Sequence, residues 1–337
     1  MNEDPEIQGS KLKEVTRGAL YLYVSSLIVS ALGYVYWLIV SKLTLPEDVG
    51  IASTIVNIAL IISSIAILGI PAGIKRFLGK AIAEQDMGKF RTYVMIGLII
   101  LILTSGIATG FILIFQGYIS RLLDIPWYFV PVMVVLIITH SITQLFIAVY
   151  TSILRTKTIM FVRFISYAAK LLFGTFLVII GLKAFGIVLG YVIPAVIAAI
   201  IYGIISMRSR LLMKTKIGLN ETTHLLKAGM ARWIPNLAQA LGTGLGVVTV
   251  YGFQSAAQAG LYHIAYSVAS VILMLHLSVM GEAYPVLSGM SSGREKLASR
   301  VIKISLAITA PLAMSLAVYG DLVLGLFGER YAGAHLP

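Results

Sequence analysis

The stretch RGALYLYVSSLIVSALGYVYWLIVSKLTLPEDVGIASTIVNIALIISSIAILGIPAGIKR (17–76) decides the fold. Its two charge-free runs, 18–41 and 49–74, are each long enough for a helix to cross the hydrocarbon of a bilayer, which takes about 20 residues. Arg17 precedes the first run, a short turn with Lys42, Glu47 and Asp48 separates the two, and Lys75 with Arg76 closes the second. The same alternation extends through the chain in the charge-free stretches 92–120, 125–154, 184–207, 233–281 and 304–320. The stretch 233–281 is long enough for two crossings and predicts a turn at GFQSAAQAG (252–260), and a further run at 164–182 is interrupted only by Lys170. The expected molecule is an all-α, polytopic membrane protein of about nine transmembrane helices.

Positive charge falls on every second loop. Of 26 Lys and Arg, three precede the first run (Lys11, Lys13, Arg17) and five separate runs two and three (Lys75, Arg76, Lys80, Lys89, Arg91). Arg155, Lys157 and Arg163 lie between four and five, Arg208, Arg210, Lys214, Lys216, Lys227 and Arg232 between six and seven, and Arg294, Lys296, Arg300 and Lys303 between eight and nine. The opposite loops hold only Lys42, Arg121, Lys183 and Arg330. Basic residues beside helix ends resist translocation, so the rich side is expected to be cytoplasmic, with the N-terminus inside and Pro337 outside a cell membrane.

A mean hydropathy of +0.94 and 12% charged residues exclude an ordinary soluble domain, in which about a quarter of residues are charged. The net charge of +12 belongs to the topology pattern, so it does not point to nucleic acid. The absence of Cys excludes disulfides and thiolate metal sites. The acidic-then-basic opening MNEDPEIQGSKLKEVTR (1–17), followed by a run of spanning length, reads as a retained first helix rather than a cleaved signal.

Residue 260 laid on residue 50 brings AAQAGLYH (256–263) onto PEDVGIAS (46–53), each an outside turn with Gly at the mouth of the next helix. An offset of 210 would make helices seven and eight repeats of helices one and two, giving parallel repeats of six helices. The expected organisation is a six-helix N-terminal lobe (1–207), a cytoplasmic inter-lobe loop (208–232) and a partial C-terminal lobe (233–337). On that offset the chain stops inside the second unit, so a C-terminal truncation is expected.

Four segments carry a family resemblance: SKLTLPEDVGIAS (41–53), LGIPAGIKRFLGKA (68–81), LLKAGMARWIPNLAQAL (225–241) with AGLYHIAYSVAS (259–270) and YPVLSGM (284–290), and LVLGLFGERYAGA (322–334). In their order and spacing the chain resembles the polysaccharide transporter branch of the multidrug/oligosaccharidyl-lipid/polysaccharide exporter superfamily, the Wzx-type lipid-linked oligosaccharide flippases. That resemblance implies a two-lobed bundle around a cavity opening alternately to the two faces. Its cargo would be a polyprenyl-phosphate or polyprenyl-pyrophosphate glycan, so the implied partners are a polyprenyl-linked saccharide, membrane lipids and glycan-assembly enzymes. Two departures are the missing C-terminal helices and a seventh helix, LGTGLGVVTVYG (241–252), without the polar or acidic residue common in members.

Lys170 is the sharpest candidate for cargo binding. A cation within a span costs about 2.5–3.5 kcal/mol on insertion scales. It either faces an internal cavity and attracts phosphate or snorkels to the cytoplasmic interface. Arg17, Arg76 and Arg232, at cytoplasmic helix ends, have the planar fork that suits phosphate, although topology alone demands cations there. The resemblance favours Arg17 and Arg76, because helices one and two line the cavity in the family. Polar groups within spans are Asn57, His140 with Gln144 one turn on, Asn236 with Gln239, His263 and His276. These make interhelical hydrogen bonds or meet sugar hydroxyls. Tyr36, Trp37, Trp127, Tyr128 and Trp233 read as an interfacial belt.

All 14 acidic residues lie in loops, tails or helix ends, Glu282 being marginal, and neither a metal site nor a cofactor is expected. A cation-coupled drug antiporter calls for a deep carboxylate, so its absence favours an anionic cargo. The alternatives are a multidrug antiporter of the same superfamily, an inactive truncated member or accessory subunit, and a membrane enzyme; an enzyme would need a catalytic loop that the chain does not offer.

Overall fold

The computed structural model describes residues 5–332 except 214, 216 and 290–292. Lys214, Lys216 and Pro337 lie outside the described residues, as do the side chains of Lys11, Lys13 and Glu282.

The chain is helical throughout: α1 Pro5–Leu43, α2 Pro46–Ala66, α3 Ile70–Ala83, α4 Met87–Ile114, the short α5 Gln116–Leu123, α6 Val130–Ser152 and α7 Thr156–Ala169. It continues through a π-helical turn at Lys170–Gly174, the three-residue α8 Thr175–Leu177 and a second π-helical turn at Val178–Leu182. Beyond these lie α9 Lys183–Arg208, α10 Leu219–Phe253, α11 Ala256–Gly289 and α12 Arg294–Gly325.

Local chemistry sets the boundaries. Pro46 opens α2, where a missing N–H costs nothing, and the Leu45 N–H donates to Asp48 Oδ2 at 3.4 Å. Asp86 caps α4 by accepting from the Lys89 N–H at 2.9 Å. The turn between α10 and α11 falls at Gln254 and Ser255, inside the expected segment, and Ser255 Oγ accepts from the Gln258 N–H at 3.2 Å.

Among the described residues, seven helical stretches are long and apolar enough to cross a membrane. The difference from the expected nine arises at two places. Thr156–Arg208 runs for 53 residues and breaks where Gly181 takes φ 92° and Lys183 φ 45°. The 35-residue α10 is not among the seven, its apolar run being diluted by Asn236, Gln239 and Thr243.

Packing centres on α2, which lies against α6, α9, α10 and α11, while α1 packs on α7 and α3 is held between α4, α6 and α10. The main core joins Tyr36, Trp37, Ile55, Phe129, Ile187, Ile264 and Phe327. At the crossing of α2 and α11 the contact is reciprocal: a Cβ on Gly50 would run into the Ala256 carbonyl, and one on Gly260 into the Pro46 carbonyl. The two glycines that the offset of 210 superposes thus lie against each other, and only their missing side chains let the backbones approach. Helix α12 packs on α11 and leaves Ile308, Leu312, Met314 and Val318 exposed.

Candidate functional site

The interior site begins with a change of helix type. A π-helical turn carries one residue more than an α-turn, which rotates the following side chains by about 100° around the axis. Lys170 opens such a turn, and Gly174 closes it. Gly174 and Gly190 form a notch for the ring of Tyr36: a Cβ on Gly174 would lie 2.8 Å from the ring, and one on Gly190 would run into the hydroxyl. Tyr36 is anchored there by donating to the Ile187 carbonyl at 3.2 Å. Trp37 Nε1–H donates to Tyr191 Oη at 2.8 Å and so fixes the second ring.

Lys170 is the cation that these rings enclose. It is 3% exposed, with Nζ 3.3 Å from the ring centroid of Tyr191, 4.5 Å from that of Tyr36 and 5.9 Å from that of Tyr167. A snorkelling lysine would send its amine along the helix toward the interface; here it points into a ring of tyrosines. A desolvated cation–π contact contributes roughly 2 kcal/mol, enough to offset most of the insertion cost of the charge without a carboxylate.

Lys170 lines a cavity of ≈ 370 Å³ with Arg163, His140, Gln144, Tyr167 and Tyr191. Arg163 lies two turns before Lys170 on the same helix face and donates from Nη1 to Ser25 Oγ at 3.3 Å. A second cavity of ≈ 560 Å³ is lined by Lys75, Arg232, Trp233, Asn236 and Gln239, and again by His140 and Gln144. Lys75 and Arg232 are exposed, so this is the mouth and the first cavity the deep chamber. No carboxylate among the described residues lines either space.

The structure therefore brings Lys170, His140, Gln144, Arg232 and Gln239 to two adjoining cavities and leaves three candidates elsewhere. Asn57 spends its Nδ2–H on the Ser53 carbonyl of its own helix at 2.8 Å, not across helices. Arg17 bonds Tyr21 Oη at 3.3 Å, and Arg76 lies over the Phe77 ring at 5.8 Å; both are exposed and line neither cavity. His276 does bond across helices, to Ser305 Oγ at 2.8 Å.

Trp127 and Tyr128 are exposed as a belt requires, but Tyr36 and Trp37 are buried at the α1 contact with α9 and α11, where Trp37 meets His263 edge-on at 4.5 Å. Trp233 also has an interior role, with its indole N–H bonded to the Ser64 carbonyl at 3.1 Å. Sequence reasoning missed Arg163, Tyr167, Tyr191 and Lys75 as cavity residues. The first two had a signal, because residues seven and three before Lys170 share its helix face. Tyr191 and Lys75 had none, since distant elements deliver them.

Together the long apolar helices and the polar chambers inside them define a polytopic helical membrane protein. By sequence, residues 15–291 match the polysaccharide biosynthesis protein family, and the chain belongs to that family. Compared with curated proteins by sequence, it finds no match. Among solved structures it is similar to a multidrug resistance MATE family transporter of the MOP superfamily in an inward-facing conformation. The TM-score is 0.68 at 14% identity, covering 94% of this chain and 78% of that one, a likeness of fold.

Proposed function

We propose that this protein moves an anionic, lipid-linked saccharide across the cytoplasmic membrane by alternating access, with a polyprenyl-phosphate or polyprenyl-pyrophosphate as the carrier. The observation that carries the reading is Lys170: a buried amine held by rings instead of by a carboxylate, on the wall of a chamber that also contains Arg163. A cation already neutralised by Asp or Glu has little left for an incoming phosphate, whereas a cation held by ring faces keeps its net charge for one. His140, Gln144, Asn236 and Gln239 add neutral hydrogen-bonding groups of the kind that sugar hydroxyls need. Family membership agrees with a saccharide cargo, and glycan-assembly enzymes are then the natural partners.

In this reading the chain has nine spans, Thr156–Arg208 crossing twice and α10 once, with a cytoplasmic N-terminus and the segment 208–232 joining two lobes, not as the loop expected from sequence but as a short connection that becomes the first turns of α10 at Leu219. The reciprocal glycine contact between α2 and α11 supports two such units related by a pseudo-two-fold axis. A multidrug antiporter, the activity named for the similar structure, would need an acidic group in its chamber to hold a cation, and neither described cavity supplies one.

The test is flipping of a labelled polyprenyl-pyrophosphate saccharide in proteoliposomes. Lys170→Met removes one charge-assisted contact, worth about tenfold or more in cargo handling. Its stability should change little, because the relieved insertion cost and the lost cation–π contacts nearly cancel. Equal rates for wild type and Lys170→Met at matched protein levels would remove Lys170 from the site, and no flipping by wild type would remove the function.

A further inference from the structure

His140 and Gln144 are the two side chains that line both cavities, and the direction of their hydrogen bonds can be worked out from one end. The Ile137 carbonyl only accepts, so Ser141 donates to it at 2.8 Å. With that hydroxyl hydrogen spent, Ser63 must donate to Ser141 across 3.0 Å. His140 Nδ1–H must then donate to Ser63 at 2.9 Å, which leaves Nε2 unprotonated. Nε2 accepts from the Gln144 amide at 3.1 Å. Every donor in this chain is used except the second N–H of Gln144, which stands at the junction of the two cavities.

Cations flank that junction on both sides. Lys75 and Arg232 come from α3 and α10 on the mouth side, Arg163 and Lys170 from α7 and its π-helical continuation on the deep side. Four cations, no lining carboxylate among the described residues and an N–H donor between them leave an anion facing no fixed negative charge in either cavity.

We propose that the two cavities are successive stations for one phosphate or pyrophosphate headgroup, and that Gln144, oriented by His140, passes it from Lys75 and Arg232 to Arg163 and Lys170. This rests on the reading of the cargo as anionic and adds an order of binding and the residue that controls it. Ser63 and Ser141 are positioning residues: they set the His140 tautomer, which sets the Gln144 amide.

The chain carries its own reporters. Of its three tryptophans, Trp233 lines the mouth and Trp37 is bonded to Tyr191 of the deep chamber, while Trp127 lies on the surface. Two forms retaining only Trp233 or only Trp37, the others changed to Phe, are mixed with inorganic pyrophosphate in detergent and followed by stopped-flow fluorescence. The expected result is a Trp233 phase that precedes the Trp37 phase. Lys170→Met should abolish the Trp37 phase alone, and Arg232→Met should weaken the Trp233 phase. Gln144→Glu, which keeps the shape and puts a carboxylate at the junction, should slow the Trp37 phase about tenfold or more and the Trp233 phase, where Lys75 and Arg232 still face the anion, by clearly less. Gln144→Leu, which keeps the bulk and removes the donor, should do the same if the Glu form does not fold.

Simultaneous phases, equal slowing of both by the Gln144 variants, or silence of both tryptophans toward pyrophosphate would overturn the inference. Ordered phases with no flipping of a polyprenyl-linked saccharide would leave the inference standing and sink the proposed function. Flipping without ordered phases would do the reverse.

Discussion

Two groups of cations in this protein have opposite surroundings. Around the loop joining α3 to α4, Lys80 at the end of α3 and Lys89 at the start of α4 pair with Glu84 at 3.6 Å, and Lys89 also reaches Asp86 at 3.4 Å, all at the solvent-facing surface. Around the deep chamber Lys170 has tyrosine rings and Arg163 a serine hydroxyl, with no acid on the wall. The loop pairs neutralise one another in water, where solvent and salt screen them and they contribute little to stability. The chamber cations are stabilised without being neutralised, which is the condition for attracting an anion.

The largest break in this contrast should come from filling the notch that builds the cage. Gly190→Leu drives a side chain into Tyr36, and overpacking of this kind costs about 1–3 kcal/mol. The expected outcome is a lower thermal midpoint in detergent together with loss of pyrophosphate response at Trp37; a variant with unchanged midpoint and response would show that Tyr36 is not held by the notch. Arg232→Met should do less, because an exposed cation at the mouth acts mainly on arrival: the on-rate for pyrophosphate should fall a few-fold at low salt, and the difference from wild type should vanish at high salt. A salt-independent loss would place Arg232 in a desolvated contact instead.

The smallest effect belongs to the loop. The Lys89 N–H bond holds the Asp86 carboxyl below its ordinary range, and the Lys89 side chain pushes the same way. A depressed carboxylate contributes stability that is full above its unfolded pKa of about 3.9 and is lost as pH falls through the lower folded value. Wild type and Asp86→Asn should therefore differ slightly in thermal midpoint from pH 5 upward and converge in strong acid. Convergence near neutrality would contradict the cap.

Much of this fold was legible in the chain because the bilayer leaves helices few alternatives: a charge-free run of spanning length must satisfy its own backbone. The turn at 252–260 was written in the sequence as a run long enough for two crossings, whereas the repeat offset only superposed Gly50 on Gly260 and did not say that they touch. The count of spans was less legible. α10 is diluted with amides, and Thr156–Arg208 hides its break within an apolar run, so hydropathy alone gives a different number.

The lining of the two cavities was legible only where one helix face carries it. Lys170 stood out as a lone cation, and His140 with Gln144 as a pair one turn apart, because both signals need only helical periodicity. Assigning Tyr36 and Trp37 to an interfacial belt went astray because the same amphipathic ring suits a membrane interface and an interior partner equally well. Arg17 and Arg76 looked like Arg232, since any helix end on the basic side carries such residues.

The sequence by itself determined that the chain is an all-helical membrane protein, where most of its apolar runs lie and which residues are out of place among apolar neighbours. Only the tertiary structure decided what those residues meet. Whether Lys170 snorkels or is enclosed depends on rings brought by α1 and α9 and on a notch made by Gly174 and Gly190, none of which its own helix specifies. The physical reason is range: hydropathy and capping act within a few residues, whereas a chamber with cations and no acid is made by the packing of distant helices.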